Sequence, residues 1–147
     1  MDLARASNLL FGIGFGFYVV AMVAAFHHLA YRKSRSASAA TAIATLGAAM
    51  HLGSIVARGI SAGRVPWGNL FEFISVAGFL AMIGWLILER VTNARGAAGF
   101  VLGAVVLAMG GAIALYVPPG PLVPALQSAW LRIHVVAAML GSSLFLL

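Results

Sequence analysis

Residues 57–73 read ARGISAGRVPWGNLFEF. In a chain that is 63% hydrophobic and 8% charged, this stretch gathers Arg58, Arg64, Pro66, Trp67, Asn69 and Glu72. On each side lies an apolar run of about 20 residues, the length at which a helix crosses the hydrocarbon layer of a bilayer. A charged, turn-forming insert between two such runs decides the fold. It implies membrane-spanning helices joined by short polar connections, since a soluble domain carries about 25% charged residues. The runs are continuous and lack the period-two alternation of barrel strands.

Working outward, the 147 residues accommodate five spans, expected at about 8–31, 39–60, 70–89, 97–117 and 130–147. The expected fold is all-α: a multi-pass transmembrane helix bundle, one domain over residues 1–147. Arg5 before the first run raises a signal peptide as a competing reading. That run is too long for an h-region, and the basic cluster Arg32, Lys33 and Arg35 follows it. The first helix is therefore expected to stay in the membrane with its N-terminus outside. Gly12 with Gly16, and Gly99 with Gly103, have the small-xxx-small spacing of close helix packing. Pro118-Pro119-Gly120-Pro121 cannot be helical.

The net charge is +6, but the nine basic residues are scattered at helix ends, as in membrane proteins, and do not form a nucleic-acid surface. No cysteine is present, so disulfides and thiol chemistry within this chain are excluded. With the N-terminus outside, Arg5, Arg58, Arg64 and Arg132 fall on the outer side. Lysine and arginine normally favour the inner side, so an anionic ligand is one reason for their presence.

Several residues carry two readings. Asn69 and Glu72 form an Asn-x-x-Glu capping box before an apolar run, with the Glu72 carboxylate expected to reach back to the Asn69 amide. Glu72 is alternatively a ligand contact or proton acceptor. Trp67 suits an interfacial aromatic belt or a surface for stacking a flat ligand. Arg58 and Arg64 either snorkel to headgroups or clamp carboxylates in bidentate fashion. His51 lies near the bilayer midplane, where an ionisable residue is a functional candidate or a packed hydrogen-bonding group. Seven residues separate it from Arg58, about two turns, so the pair shares a face. His134 lies one turn into the fifth helix, either as a metal ligand or as a hydrogen-bonding residue. His27 and His28 suit an interface.

Two motifs carry a family resemblance. Arg58, Gly63, Pro66, Asn69, Phe71 and Glu72 match the R-x-x-x-x-G-x-x-P-x-x-N-x-[YF]-E pattern of the CcsA/ResC haem-handling membrane proteins. Leu126, Gln127, Ser128, Trp130, Leu131, His134 and Val135 resemble that family's L-Q-S-x-W-L-x-x-H-V segment. The chain thus resembles a cytochrome c synthetase over essentially its whole length. The resemblance implies a haem-handling subunit that binds haem b and presents it on the outer side, where its vinyl groups form thioethers with the CxxCH cysteines of apocytochrome c. It implies His134 as an external haem-iron ligand, with His51 as an intramembrane one. Arg58, Arg64, Trp67, Asn69, Glu72 and Trp130 are the other residues expected to contact haem. The expected partners are the apocytochrome, a membrane subunit with a large external domain and a thiol-reducing protein, in the plasma membrane.

The family's W-G-x-x-W-x-W-D segment, its second external histidine and its later membrane histidine are absent. The expectation is therefore the N-terminal portion of a longer protein, inactive on its own as a haem lyase. Two rival readings are a secondary transporter for an anionic solute, held by Arg58, Arg64 and Arg132, and a structural subunit of a respiratory complex. The transporter predicts internal symmetry, and no repeat is visible.

Overall fold

The computed structural model describes residues 2–92, 94–121, 124 and 127–147. They form five α-helices and no strand: α1 (Leu3–Tyr31), α2 (Ser34–Ala62), α3 (Leu70–Val91), α4 (Ala98–Ala114) and α5 (Ala129–Phe145), with one 3₁₀ turn (Ala94–Ala97) before α4. The all-α expectation holds. Four helices, counting Ala94–Ala114 as one, are long and apolar enough to cross a membrane. α5 is apolar but shorter, at 17 residues. Large apolar side chains such as Val23, Ile87 and Leu107 lie exposed on the outside of the bundle, where a bilayer solvates them.

α1 and α2 make the most extensive contact. The seam on α1 is Ser7, Phe11, Gly14, Tyr18, Ala21 and Ala25, an alternating four-and-three spacing that keeps one stripe against a neighbour. It meets an alanine-rich stripe on α2, Ala37, Ala40, Ala44 and Ala48, which allows close backbone approach. A Cβ on Gly14 would lie 3.1 Å from the Gly47 carbonyl oxygen, and one on Gly47 would lie 2.8 Å from the Tyr18 ring. Ser7 Oγ donates to the Ser54 carbonyl at 2.9 Å near the end of this seam.

The small-residue expectation is therefore half right. Gly99 lies against Phe26, whose ring a Cβ would meet at 2.9 Å, and Gly103 lies near Met22, so α4 packs on α1 as expected. Gly12 and Gly16 are exposed, with nothing near enough to meet a Cβ. Two residues along a helix turn the side chain by about 200°, so the seam through Gly14 leaves both of its flanking glycines on the outside.

α3 contacts α2 and α4, which closes the first four helices into a ring. α5 leans on α3 through Met139 and Ser143, and Ser143 Oγ donates to the Ala77 carbonyl at 2.8 Å. The alternating helices bring the N-terminus, the connection 63–69 and the segment after α4 to one end of the bundle. Asn8 Nδ2 ties that end by donating to the Tyr116 hydroxyl at 2.8 Å.

Candidate functional site

Gly63 ends α2 in the left-handed region, at φ 63°, where a side chain would be strained. The chain then doubles back. A Cβ on Gly59 would meet the Arg64 carbonyl and Pro66 Cδ at 3.3 Å each, so the turn folds against the last residues of α2. Asn69 caps α3, its Oδ1 accepting from the Glu72 amide at 2.9 Å. This half of the expected capping box is present. The other half differs: Glu72 Oε2 accepts from the Gly68 amide at 2.7 Å, where the sequence pattern pointed to that of Asn69.

Two arginines account for that carboxylate's position. Arg58 Nε donates to Glu72 Oε1 at 2.9 Å, and Arg64 Nη1 donates to Oε2 at 2.8 Å. Glu72 is 1% exposed and Arg58 3%. Arg58 Nη2 donates to the Val117 carbonyl, and Arg64 Nε to the Gly120 carbonyl at 2.8 Å. The Arg58 guanidinium lies over the Phe71 ring, 4.6 Å from its centroid, and 5.4 Å from that of Tyr116. Among the described residues, Arg58 Nη1 is buried without a hydrogen-bond partner. Both arginines thus turn inward and bind the segment after α4 to the start of α3. A buried charge is tolerated only when paired and hydrogen-bonded, and one carboxylate with two backbone carbonyls provides most of that pairing.

Asn69→Ala removes the acceptor for one amide of the first turn of α3. It is expected to lower stability by about 1 kcal/mol, read as a fall in the thermal midpoint of the detergent-solubilised protein. Asn69→Asp, which keeps a capping acceptor, serves as the comparison.

α5 begins beside this cluster. Val65 and Trp67 from the connection face Arg132, Ile133, Val136 and Leu140 across an apolar groove of about 660 Å³. A smaller hollow of about 220 Å³ lies between Arg64, Val65, Trp67 and Arg132. His134 does not line either one. It is exposed, as is Trp130 one turn earlier at 81%, on the side of α5 turned away from α3. The two motif segments therefore meet at one end of the bundle, but Arg132 and Ile133 face the connection while His134 and Trp130 face away. Leu126 of the second motif lies outside the described residues.

His51 is fully buried, at 0% exposure. Its Nε2 lies 2.9 Å from Ser75 Oγ on α3, and its Nδ1 lies 3.5 Å from the Tyr18 hydroxyl on α1. Phe11, Tyr18 and Phe79 pack edge-on against the ring. Both nitrogens thus face protein hydroxyls, and a metal at His51 requires displacing one of them. Arg58 shares the buried face of α2 with His51, as the spacing implied. His27 and His28 lie near the opposite end, bonded to Ser36 Oγ and to the Lys33 carbonyl. Among the described residues no group of three or more His, Cys, Asp or Glu side chains is placed to hold a metal ion.

The chain matches no family model and no solved structure. It does match curated proteins. The cytochrome c biogenesis protein CcsA of Trichodesmium erythraeum (strain IMS101) is 33% identical over 96% of this chain and 42% of its own length. That of Gloeothece citriformis (strain PCC 7424) is 32% identical over 96% of the chain and 44% of its own. That of Nostoc punctiforme (strain ATCC 29133 / PCC 73102) is 33% identical over 97% and 42%. The chain is thus similar to CcsA proteins over almost its whole length. It spans about two-fifths of the length of these CcsA relatives.

In this CcsA-like chain, the sequence signals the principal residues better than their partners. Tyr18 and Ser75, which hold His51, are unremarkable residues on two other helices. Tyr116, which lies under the Arg58 guanidinium and meets the Phe71 ring edge-on, sits just beyond α4 in a run that reads as apolar. A second polar cluster at the far end was also unanticipated: Glu89 is buried, accepts from Thr41 Oγ1 at 2.6 Å and lies 3.5 Å from Arg95 Nε. A buried carboxylate near a helix C-terminus signals such a partner, because it cannot remain unpaired.

Proposed function

We propose that this chain is part of a cytochrome c biogenesis protein and forms the haem-handling portion of a cytochrome c synthetase. It holds haem b at the end of the bundle that carries the N-terminus. That end faces the outer side of the plasma membrane, where apocytochrome c presents its CxxCH thiols. The observation that carries this reading is the meeting of the two motif segments at one end of the bundle, with the His134 imidazole and the Trp130 ring exposed one turn apart.

The exposed residues fit part of a haem site. His134 offers a free imidazole for iron, and Trp130 offers a flat apolar surface for the macrocycle edge. When bound, haem supplies the vinyl carbons to which cysteine thiols add. The chain's own residues bind and orient. His134 ligates and Trp130 stacks, with Trp67 at the edge of the same end. Asn69 and Glu72 hold the start of α3, and Arg58 and Arg64 lock the connection to Val117 and Gly120. These four act by positioning, since most of their donors and acceptors are already paired within the protein. His51 would hold a separate, intramembrane haem iron, and only with Ser75 or Tyr18 displaced from its ring nitrogens. A membrane subunit with an external domain and a thiol-reducing protein complete the assembly. The anion-transporter reading needs Arg58, Arg64 and Arg132 to face one solute, whereas Arg58 faces Glu72 and Val117.

The test uses the full-length protein that contains this chain, expressed with ample haem and purified in detergent. The parent is expected to show a Soret band. His134→Ala is expected to lose most of it while keeping the parent's thermal midpoint. A parent that purifies without haem, or a His134→Ala variant with full haem content, overturns the proposal.

A further inference from the structure

The end of the bundle that carries the arginines has a second concave feature, distinct from the face of His134. The hollow between Arg64, Val65, Trp67 and Arg132 shares Val65, Trp67 and Arg132 with the longer groove along α5. The two together are amphiphilic, with guanidinium groups at the mouth and an apolar stripe of Ile133, Val136 and Leu140 below. Leu140 is eight residues past Arg132, about 12 Å further along the helix axis. The groove therefore runs from the level of the interhelical connections into the level of the hydrocarbon.

The charge is unbalanced. Arg58 and Arg64 both donate to one carboxylate, that of Glu72, and Arg132 adds a third positive charge at this end. Arg64 is held rigidly: Nε by the Gly120 carbonyl, Nη1 by the Val65 carbonyl and Glu72, and Nη2 by Glu72 at 3.3 Å. A guanidinium has five N–H donors, so these four contacts leave one on Nη2. The Arg132 side chain is exposed and makes no hydrogen bond or ion pair with the described residues. One pre-positioned guanidinium, one free guanidinium and an interfacial tryptophan above an apolar channel match a lipid with an anionic headgroup.

We propose that this groove binds an anionic phospholipid, its phosphate between Arg64 and Arg132 beside Trp67, and one acyl chain along Ile133, Val136 and Leu140. A free phosphate would engage only the arginines, leaving the apolar stripe unused. His134 is turned about 100° from Ile133 around α5, so this lipid leaves the proposed haem face open and does not depend on it.

The test is lipid titration of the full-length protein in detergent by native mass spectrometry, with phosphatidylglycerol and phosphatidylcholine of identical acyl chains. Phosphatidylglycerol is expected to bind about tenfold more tightly, the scale of one charge-assisted contact. Arg132→Gln is expected to remove that preference with haem content unchanged, and Val136→Trp, which fills the groove, to weaken both lipids. Equal binding of both lipids by the parent overturns the proposal, as does a preference that survives Arg132→Gln. Inorganic phosphate that displaces phosphatidylglycerol at equal concentration overturns it in favour of a simple anion pocket. Haem content that falls with the lipid preference in Arg132→Gln overturns it by assigning the groove to haem.

Discussion

Glu72→Ala is expected to destabilise the bundle by about 3–5 kcal/mol, the scale for breaking a buried ion pair from one side. The carboxylate takes donors from Arg58 Nε, Arg64 Nη1 and Nη2 and the Gly68 amide. Without it, two guanidinium groups face each other at the base of α3. Arg64 relaxes outward, since its side chain is 15% exposed. Arg58 has no such exit: it is enclosed by Phe71, Tyr116 and the Val117 carbonyl, and it already has an unpaired Nη1. The thermal midpoint in detergent is the readout. A double variant, Arg58→Met with Glu72→Leu, is expected to recover part of the loss, because it removes the enclosed guanidinium together with the carboxylate and leaves only Arg64, which relaxes outward. A midpoint for Glu72→Ala equal to the parent's would mean that Arg58 reaches water or headgroups by a path absent from this structure.

The second large effect is steric. Gly14→Leu is expected to cost about 3 kcal/mol, the upper end of typical overpacking penalties. Its Cβ would lie 3.1 Å from the Gly47 carbonyl oxygen and 3.2 Å from the His51 amide nitrogen. Both are backbone atoms in the middle of α2, so relief comes only by moving the helices apart. That movement also loosens the contact of Tyr18 with His51 across the same seam. Gly12→Leu is the matched control: nothing lies near its Cβ, and the change is expected to stay within about 0.5 kcal/mol. Equal effects of the two substitutions would show that α1 packs through its other face.

These cases show what a single sequence carries. Of the glycine pairs Gly12/Gly16 and Gly99/Gly103, which share the small-xxx-small spacing, only the pair on α4 lies at a contact. Spacing places two glycines on one face but does not say which face meets a neighbour. The buried stripe of α1 is set by Tyr18, Phe11 and the alanines, whose packing with α2 excludes Gly12 and Gly16. The arginines are similar. Basic residues at this end suggested a clamp for an outside anion, yet the only acid in the stretch is Glu72, and it takes both Arg58 and Arg64. A lone acid after two arginines is a legible signal for an internal ion pair. The carbonyls of Val117 and Gly120, which complete it, are far away in the chain and carry no sequence signature.

The sequence by itself determined the helices and the turn from α2 into α3, although α1 and α2 each begin five residues before the expected spans. Long apolar runs become helices because a backbone in lipid must satisfy its own hydrogen bonds. Gly63 closes α2 and Asn69 opens α3, because chain reversal and capping act over a few residues. The tertiary structure alone decided which way the functional side chains face. It enclosed His51 with Ser75 and Tyr18, turned Arg58 inward, and set Arg132 toward Trp67 while leaving His134 and Trp130 open on α5. Those outcomes depend on pairings between helices, and the burial, charge balance and shape that select them exist only once the helices are packed.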